Sequence, residues 1–181
     1  MKRIQSLALY GCVCLLASPV FAASAPMTAT APQKLSDAEI LGIVMTVDES
    51  EIAAANVAKT KKISHMVKRY AMYIKRQHEM NLKQLHHVSK VTHIEPSSSS
   101  LSQTMVKGGV EGLKALEALN GKAFESAYIH DMVQGHEDGL KLIKTKLLKN
   151  VSNSKVKKFL MSFQTMVQHH LKKAMHIEKT M

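Results

Sequence analysis

Cysteine is the first scarcity. The chain of 181 residues has two, Cys12 and Cys14, both in its N-terminal apolar run. If that run is removed, no disulfide remains to staple the fold even in an oxidising compartment, so packing alone must hold it. Aromatic residues are nearly as scarce: no tryptophan, four tyrosines and four phenylalanines. The basic residues are spread along the chain and form no aromatic-interleaved patch, which makes nucleic acid the weaker use of their charge. A glycine-rich phosphate loop and strand signals are also missing, and no catalytic cysteine is left. After the first run, nothing approaches the 18 or so uninterrupted apolar residues of a membrane span.

The first 22 residues supply what an export signal needs. Lys2 and Arg3 precede an apolar run from Leu7 to Leu16, and Val20-Phe21-Ala22 offers a small-residue cleavage site with Ala22 as the last residue removed. Leu9-Tyr10-Gly11-Cys12 only faintly matches a lipid-attachment box, since almost no apolar run precedes its cysteine. The expectation is an exported protein, periplasmic or envelope-associated. Residues 23–36, rich in small side chains and proline, read as a disordered lead-in. Losing Lys2 and Arg3 lowers the formal net charge from +11 to +9. Such a surface favours anionic envelope components, and a merely solubilising surface is the plainer account.

What the chain has in quantity is helix. Ser36-Asp37-Ala38-Glu39 has the spacing of a capping box. Four long helical segments are predicted over 37–60, 64–92, 122–149 and 154–178. Short connections at 61–63 and 150–153 make two antiparallel hairpins, joined by a long link over 93–121. Ser97 to Ser100 read as a flexible elbow, with a short extra helix in the second part of the link. The hairpins resemble each other, aligning Val67 with Val156, Tyr70 with Phe159 and Met72 with Met161. The fold class is all-α, a four-helix bundle over 37–178.

Apolar steps of three and four mark each inward stripe. The second segment gives Val67, Ala71, Ile74, His78, Asn81, Leu85 and Val88. The fourth gives Val156, Leu160, Phe163, Val167, His170, Ala174 and Ile177, so that in Thr165–His176 only one of three histidines turns inward. The third includes Met132, His136 and Leu140, and the first is read through Ile40, Val44, Val47, Glu51, Ala54 and Ala58. Each helix thereby contributes one titratable side chain at mid-height: Glu51, His78, His136 and His170.

This pattern resembles the secreted bacterial domain of unknown function four-one-four-two family, often labelled outer membrane protein. The matching stretches are E-I-A-A-A-N-V-A at 51–58, V-K-R-Y-A-M-Y-I-K-R-Q-H at 67–78, F-E-S-A-Y-I-H-D-M-V-Q-G-H at 124–136 and H-L-K-K-A at 170–174. The resemblance implies a ferritin-like fold, and its motif positions fall on Glu51, His78, His136 and His170. Gln77 departs from it, standing where the family commonly has aspartate. M-V-Q-H-H-L-K-K-A-M at 166–175 also resembles, locally, the Met-x-x-His-His-x-x-Ala-x-Met signature of a secreted copper-associated helical family.

Di-iron chemistry in such folds uses paired Glu-x-x-His motifs, and this chain has none. Three imidazoles and a carboxylate instead suit zinc, copper or nickel. Met132 and Met166, four residues before His136 and His170, are in position to add sulfur for copper(I) but read first as packing. The competing account is a purely structural buried hydrogen-bond network. His65, His86, His87, His93, His130, His169 and His176 read mostly as surface residues. No nucleophile or oxyanion feature accompanies the cluster, so the sequence assigns no reaction. Two functions remain open: a metal- or small-ligand-binding bundle in envelope stress or metal handling, and a non-enzymatic envelope interaction module with a basic surface.

Overall fold

Ser36 and Glu39 close the expected capping box: the serine hydroxyl accepts from the Glu39 amide at 3.2 Å, and the Glu39 carboxylate accepts from the Ser36 amide at 2.9 Å. Helix α1 starts there and runs over Asp37–Thr60. The computed structural model describes residues 34–181, so the expected leader (1–22) and most of the lead-in (23–36) lie outside the described residues. After α1 come α2 (His65–Thr92), α3 (Ser100–Glu117) and α4 (Gly121–Leu142). A π-helical turn, Ile143–Leu147, and a last turn, Leu148–Asn150, prolong α4; α5 spans Ser154–Thr180. Among the described residues there is no strand, and no helix is long and apolar enough to cross a membrane.

Hydrogen bonds between distant segments set the topology. At one end, Lys61 reaches the Glu117 carbonyl at 2.6 Å, and the Ser64 amide donates to the Glu125 carboxylate. At the other end, the Ser152 and Asn153 amides donate to the two Asp37 carboxylate oxygens, each at 2.9 Å. The two hairpin turns therefore stand at opposite poles. The link must run the length of the bundle to join them, and α3 does so along α1. One long crossover between two antiparallel hairpins is the arrangement of ferritin-like bundles.

The link corrects one expectation. Ser97–Ser100 is no elbow: the Ser97 amide donates to the Ala38 carbonyl at 2.9 Å, and Ser99 with Ser102 forms a buried capping box. The serines serve as a docking strand and a helix cap, where short hydroxyl side chains satisfy free amides. Gly42 permits the docking, because a Cβ there would sit 2.0 Å from the Ser97 carbonyl oxygen.

Every position read as inward on the second and fourth helical segments is buried. The proposed hairpin likeness is mirrored in burial: Val67 and Val156 are buried, as are Tyr70 and Phe159, while Met72 and Met161 are both exposed. Apolar packing forms two separate clusters. One, near the α1–α2 turn, contains Tyr70, Ile74, Phe124 and Tyr128. The other, towards the opposite pole, contains Leu41, Leu85, Leu160 and Phe163. Between them lies a layer of buried polar side chains.

Candidate metal centre

His78, His136 and His170 occupy that layer, and their exposures of 0, 3 and 0 % place all three out of reach of bulk water. One ring nitrogen from each lies within 4.8 Å of the others. The ring centroids of His78 and His170 are 5.0 Å apart, and those of His136 and His170 are 5.3 Å apart. Three helices, α2, α4 and α5, thus deliver one imidazole each to a common point.

The ring orientations are set from behind. His78 Nδ1–H donates to Asp48 Oδ1 at 2.7 Å, and the other oxygen, Oδ2, accepts from Asn81 at 2.8 Å. A carboxylate that accepts twice fixes the proton on Nδ1, leaving the His78 Nε2 lone pair facing inward. His136 Nδ1–H donates to the Met132 carbonyl one turn back, which likewise turns its Nε2 lone pair inward. That Nε2 lies 3.3 Å from His170 Nδ1, the sole hydrogen-bond contact between the imidazoles. Among the described residues, four buried side-chain polar atoms have no partner, and three are here: His78 Nε2, His170 Nε2 and Glu51 Oε2. Buried polar atoms are normally satisfied, so these orphans set the layer apart from the rest of the core.

Asp48 was missed by the sequence reading. Its side chain is fully buried on α1, where the stripe had been drawn through Val47, Glu51 and Ala54. Those three are half-buried. An alternative three–four series, Leu41, Val44, Asp48, Glu51, Ala55 and Ala58, was equally available and would have included it. Glu51 lines a cavity with His78 and His136, but its carboxylate is not among the converging ligand atoms. The carboxylate beside His78 therefore comes from α1 and not from position 77, where Gln77 stands. Met132 is buried in the apolar cluster near the α1–α2 turn, and Met166 packs partly buried against the one at the opposite pole. The seven remaining histidines are all exposed.

The electrostatics favour a neutral His170. Burial, then the neighbouring charges of His78, His136, His169 and Lys173, pulls the His170 pKa from its ordinary 6.5 down to about 2. Burial pushes the Asp48 carboxyl up, against the His78 and Asn81 hydrogen bonds that hold it down. An unfolded chain protonates at His170 below pH 6.5, whereas the folded chain does not until about pH 2. The metal-free fold therefore has its full stability above pH 6.5 and loses on the order of 1 kcal/mol per pH unit as pH falls from there towards about 2. The raised Asp48 value acts in the opposite sense, but only in its own range above 3.8. Melting of metal-free protein at pH 7 and pH 5 should show this loss, and His170→Leu should flatten it. Equal melting of the wild type at both pH values would contradict a neutral His170.

Two comparisons with known proteins return matches. The family described as Domain of unknown function (DUF4142) matches residues 22–177. The crystal structure of a DUF305 protein from Streptomyces coelicolor, described as secreted, is similar in fold with a TM-score of 0.61. At 16 % identity the alignment covers 77 % of this chain and 90 % of that one, a likeness of fold alone. No curated protein matches the chain.

Proposed function

The chain belongs to the DUF4142 family, a domain of unknown function, and from that footing we propose that it is an exported helical bundle that holds one zinc or copper ion on His78, His136 and His170, in the service of metal handling. The observation that carries this reading is the convergence of three buried imidazoles, two of which, His78 and His170, leave Nε2 without a partner. Borderline divalent ions prefer such nitrogen donors, and tying the far nitrogen to a carboxylate or carbonyl raises ligand basicity. A cation also answers the buried Asp48 carboxylate. The stretch Lys2 to Ala22 supports export, since it has the layout of a cleavable signal.

Protein purified without an affinity tag and titrated calorimetrically with zinc and with copper(II) should bind one equivalent. Asp48→Asn should bind roughly 10- to 100-fold more weakly, because it loses the group that orients His78. Absence of stoichiometric binding, or an Asp48→Asn variant as tight as wild type, would count against the site.

One feature favours a second reading, docking on an anionic envelope surface. A groove of about 690 Å³ is lined by residues of α2 and α5, with Arg69, Lys172, Lys173, His169 and His176 beside Tyr70 and Tyr73. Cosedimentation with anionic but not zwitterionic lipid vesicles, weakened by salt and by Lys172→Glu/Lys173→Glu, would support it. Equal binding to both vesicle types would sink it.

A further inference from the structure

Resting on the ion site just proposed, we infer that the ion's remaining coordination position is open, and that it faces a small internal chamber where bound water exchanges with a small inorganic anion of two or three heavy atoms. The chamber has a volume of about 30 Å³ and adjoins His78, His136 and Glu51, with apolar walls that include Val47 and Phe163. That is room for about two waters, since one needs roughly 10–15 Å³ on the same measure. A larger organic substrate has no place in it.

Glu51 identifies what the chamber holds. Its inner oxygen is buried without a hydrogen-bond partner, although the carboxylate does not join the converging imidazole nitrogens. A buried carboxylate oxygen left bare is costly. A water on the ion, donating to Glu51 Oε2, satisfies that oxygen across the gap and completes a four-coordinate ion. Three protein ligands plus one exchangeable water is the arrangement of open metal sites. Three neutral imidazoles leave a divalent ion's charge answered only through His78 by Asp48 and across the bound water by Glu51, so an anion that displaces the water competes with Glu51 for the ion.

Access is built into α4. Gly135 and Gly139, one turn apart, line the chamber, and Gly135 is exposed. A Cβ at Gly135 would meet nothing within 4 Å, and one at Gly139 would meet only Val167 Cγ1, at 4.0 Å. The α1–α4 seam is also the loosely packed one, since α1 packs chiefly on α2 and α3, and α4 on α5. The two glycines leave an opening in that seam through which a small anion passes.

Copper(II)-loaded protein titrated with azide tests this, with copper stoichiometry measured on every sample. Wild type should develop a saturable azide-to-copper charge-transfer band at one azide per ion. Gly139→Ala, whose added methyl is in ordinary contact, should weaken azide by several-fold, and Gly139→Leu should weaken it at least 10-fold. Glu51→Gln should keep copper and bind azide more tightly, having lost the competing negative charge. A loaded wild type without an azide band, azide binding unchanged by both Gly139 variants, or loss of copper in Glu51→Gln would each overturn the open position. Wild type that takes up no copper, zinc or cobalt would instead remove the ion site itself, a result distinct from these.

Discussion

Replacing His136 and His170 together by leucine should leave the metal-free protein about as stable as wild type, or slightly more so, while abolishing its response to metal. The two imidazoles share one 3.3 Å contact, and His170 Nε2 has no partner. Removing both takes away two hydrogen bonds, this one and that from His136 Nδ1–H to the Met132 carbonyl, together with an unsatisfied buried atom, and the His78–Asp48–Asn81 chain stays whole. Leucine adds apolar contact between two clusters that already flank the layer. Exchanging a buried polar pair for apolar side chains of similar size is often neutral or stabilising. With metal the order reverses. At a free ion concentration a thousand times Kd, linkage gives the wild type about 4 kcal/mol. At 2–4 °C per kcal/mol for a domain of this size, that is a rise in melting temperature of about 8–16 °C. Thermal melts of both proteins with and without zinc would show it. A network selected only for stability predicts the opposite, with several kcal/mol lost in the metal-free double variant and no metal response in the wild type.

Gly42→Ala should be the most damaging single methyl in the molecule. Helix propensity alone makes alanine better than glycine inside α1 by roughly 1 kcal/mol. The added Cβ, however, would lie 2.0 Å from the Ser97 carbonyl oxygen and 2.8 Å from its carbon. Backbone atoms cannot swing aside as a flexible side chain can, so the docking strand must lift. Lifting it strains the Ser97–Ala38 hydrogen bond and the buried Ser99–Ser102 cap that starts α3. A net loss of about 3 kcal/mol is expected, in the range of overpacked cores. The melting temperature should then drop by about 6–12 °C. Gly112→Ala, whose Cβ would meet nothing within 4 Å, is the control and should not destabilise. A neutral or stabilising Gly42→Ala would show that the crossover is not held at this point.

The helices were legible because their signals are local. A capping box at Ser36, short connections and three–four stripes are all contained within a few turns of chain. Val156 through Ile177 on α5 could therefore be placed inward from spacing alone, with His170 among them. Asp48 was hidden by degeneracy. Val44, Glu51 and Ala58 belong to both possible registers of α1, and hydropathy favours Val47 over a charged neighbour until His78 and Asn81 are known to lie opposite. The link was misread for a related reason. A run of serines has the composition of a spacer, and only contact with Ala38 and Gly42 gives those hydroxyls and amides fixed work. Whether the hairpin turns share a pole also depends on such long-range pairs, Asp37 with Asn153 among them.

The assembly of the polar layer from α1, α2, α4 and α5 has a consequence in time. His170 lies in α5, the last helix, so no growing chain contains all three imidazoles until that helix is made. The three imidazoles of the proposed ion site therefore converge only after the final helix has docked. An ion bound there would be one available in the compartment where folding finishes. Selection among competing metals would then fall to the place and order of folding, and the proposed site need not itself discriminate strongly between zinc and copper.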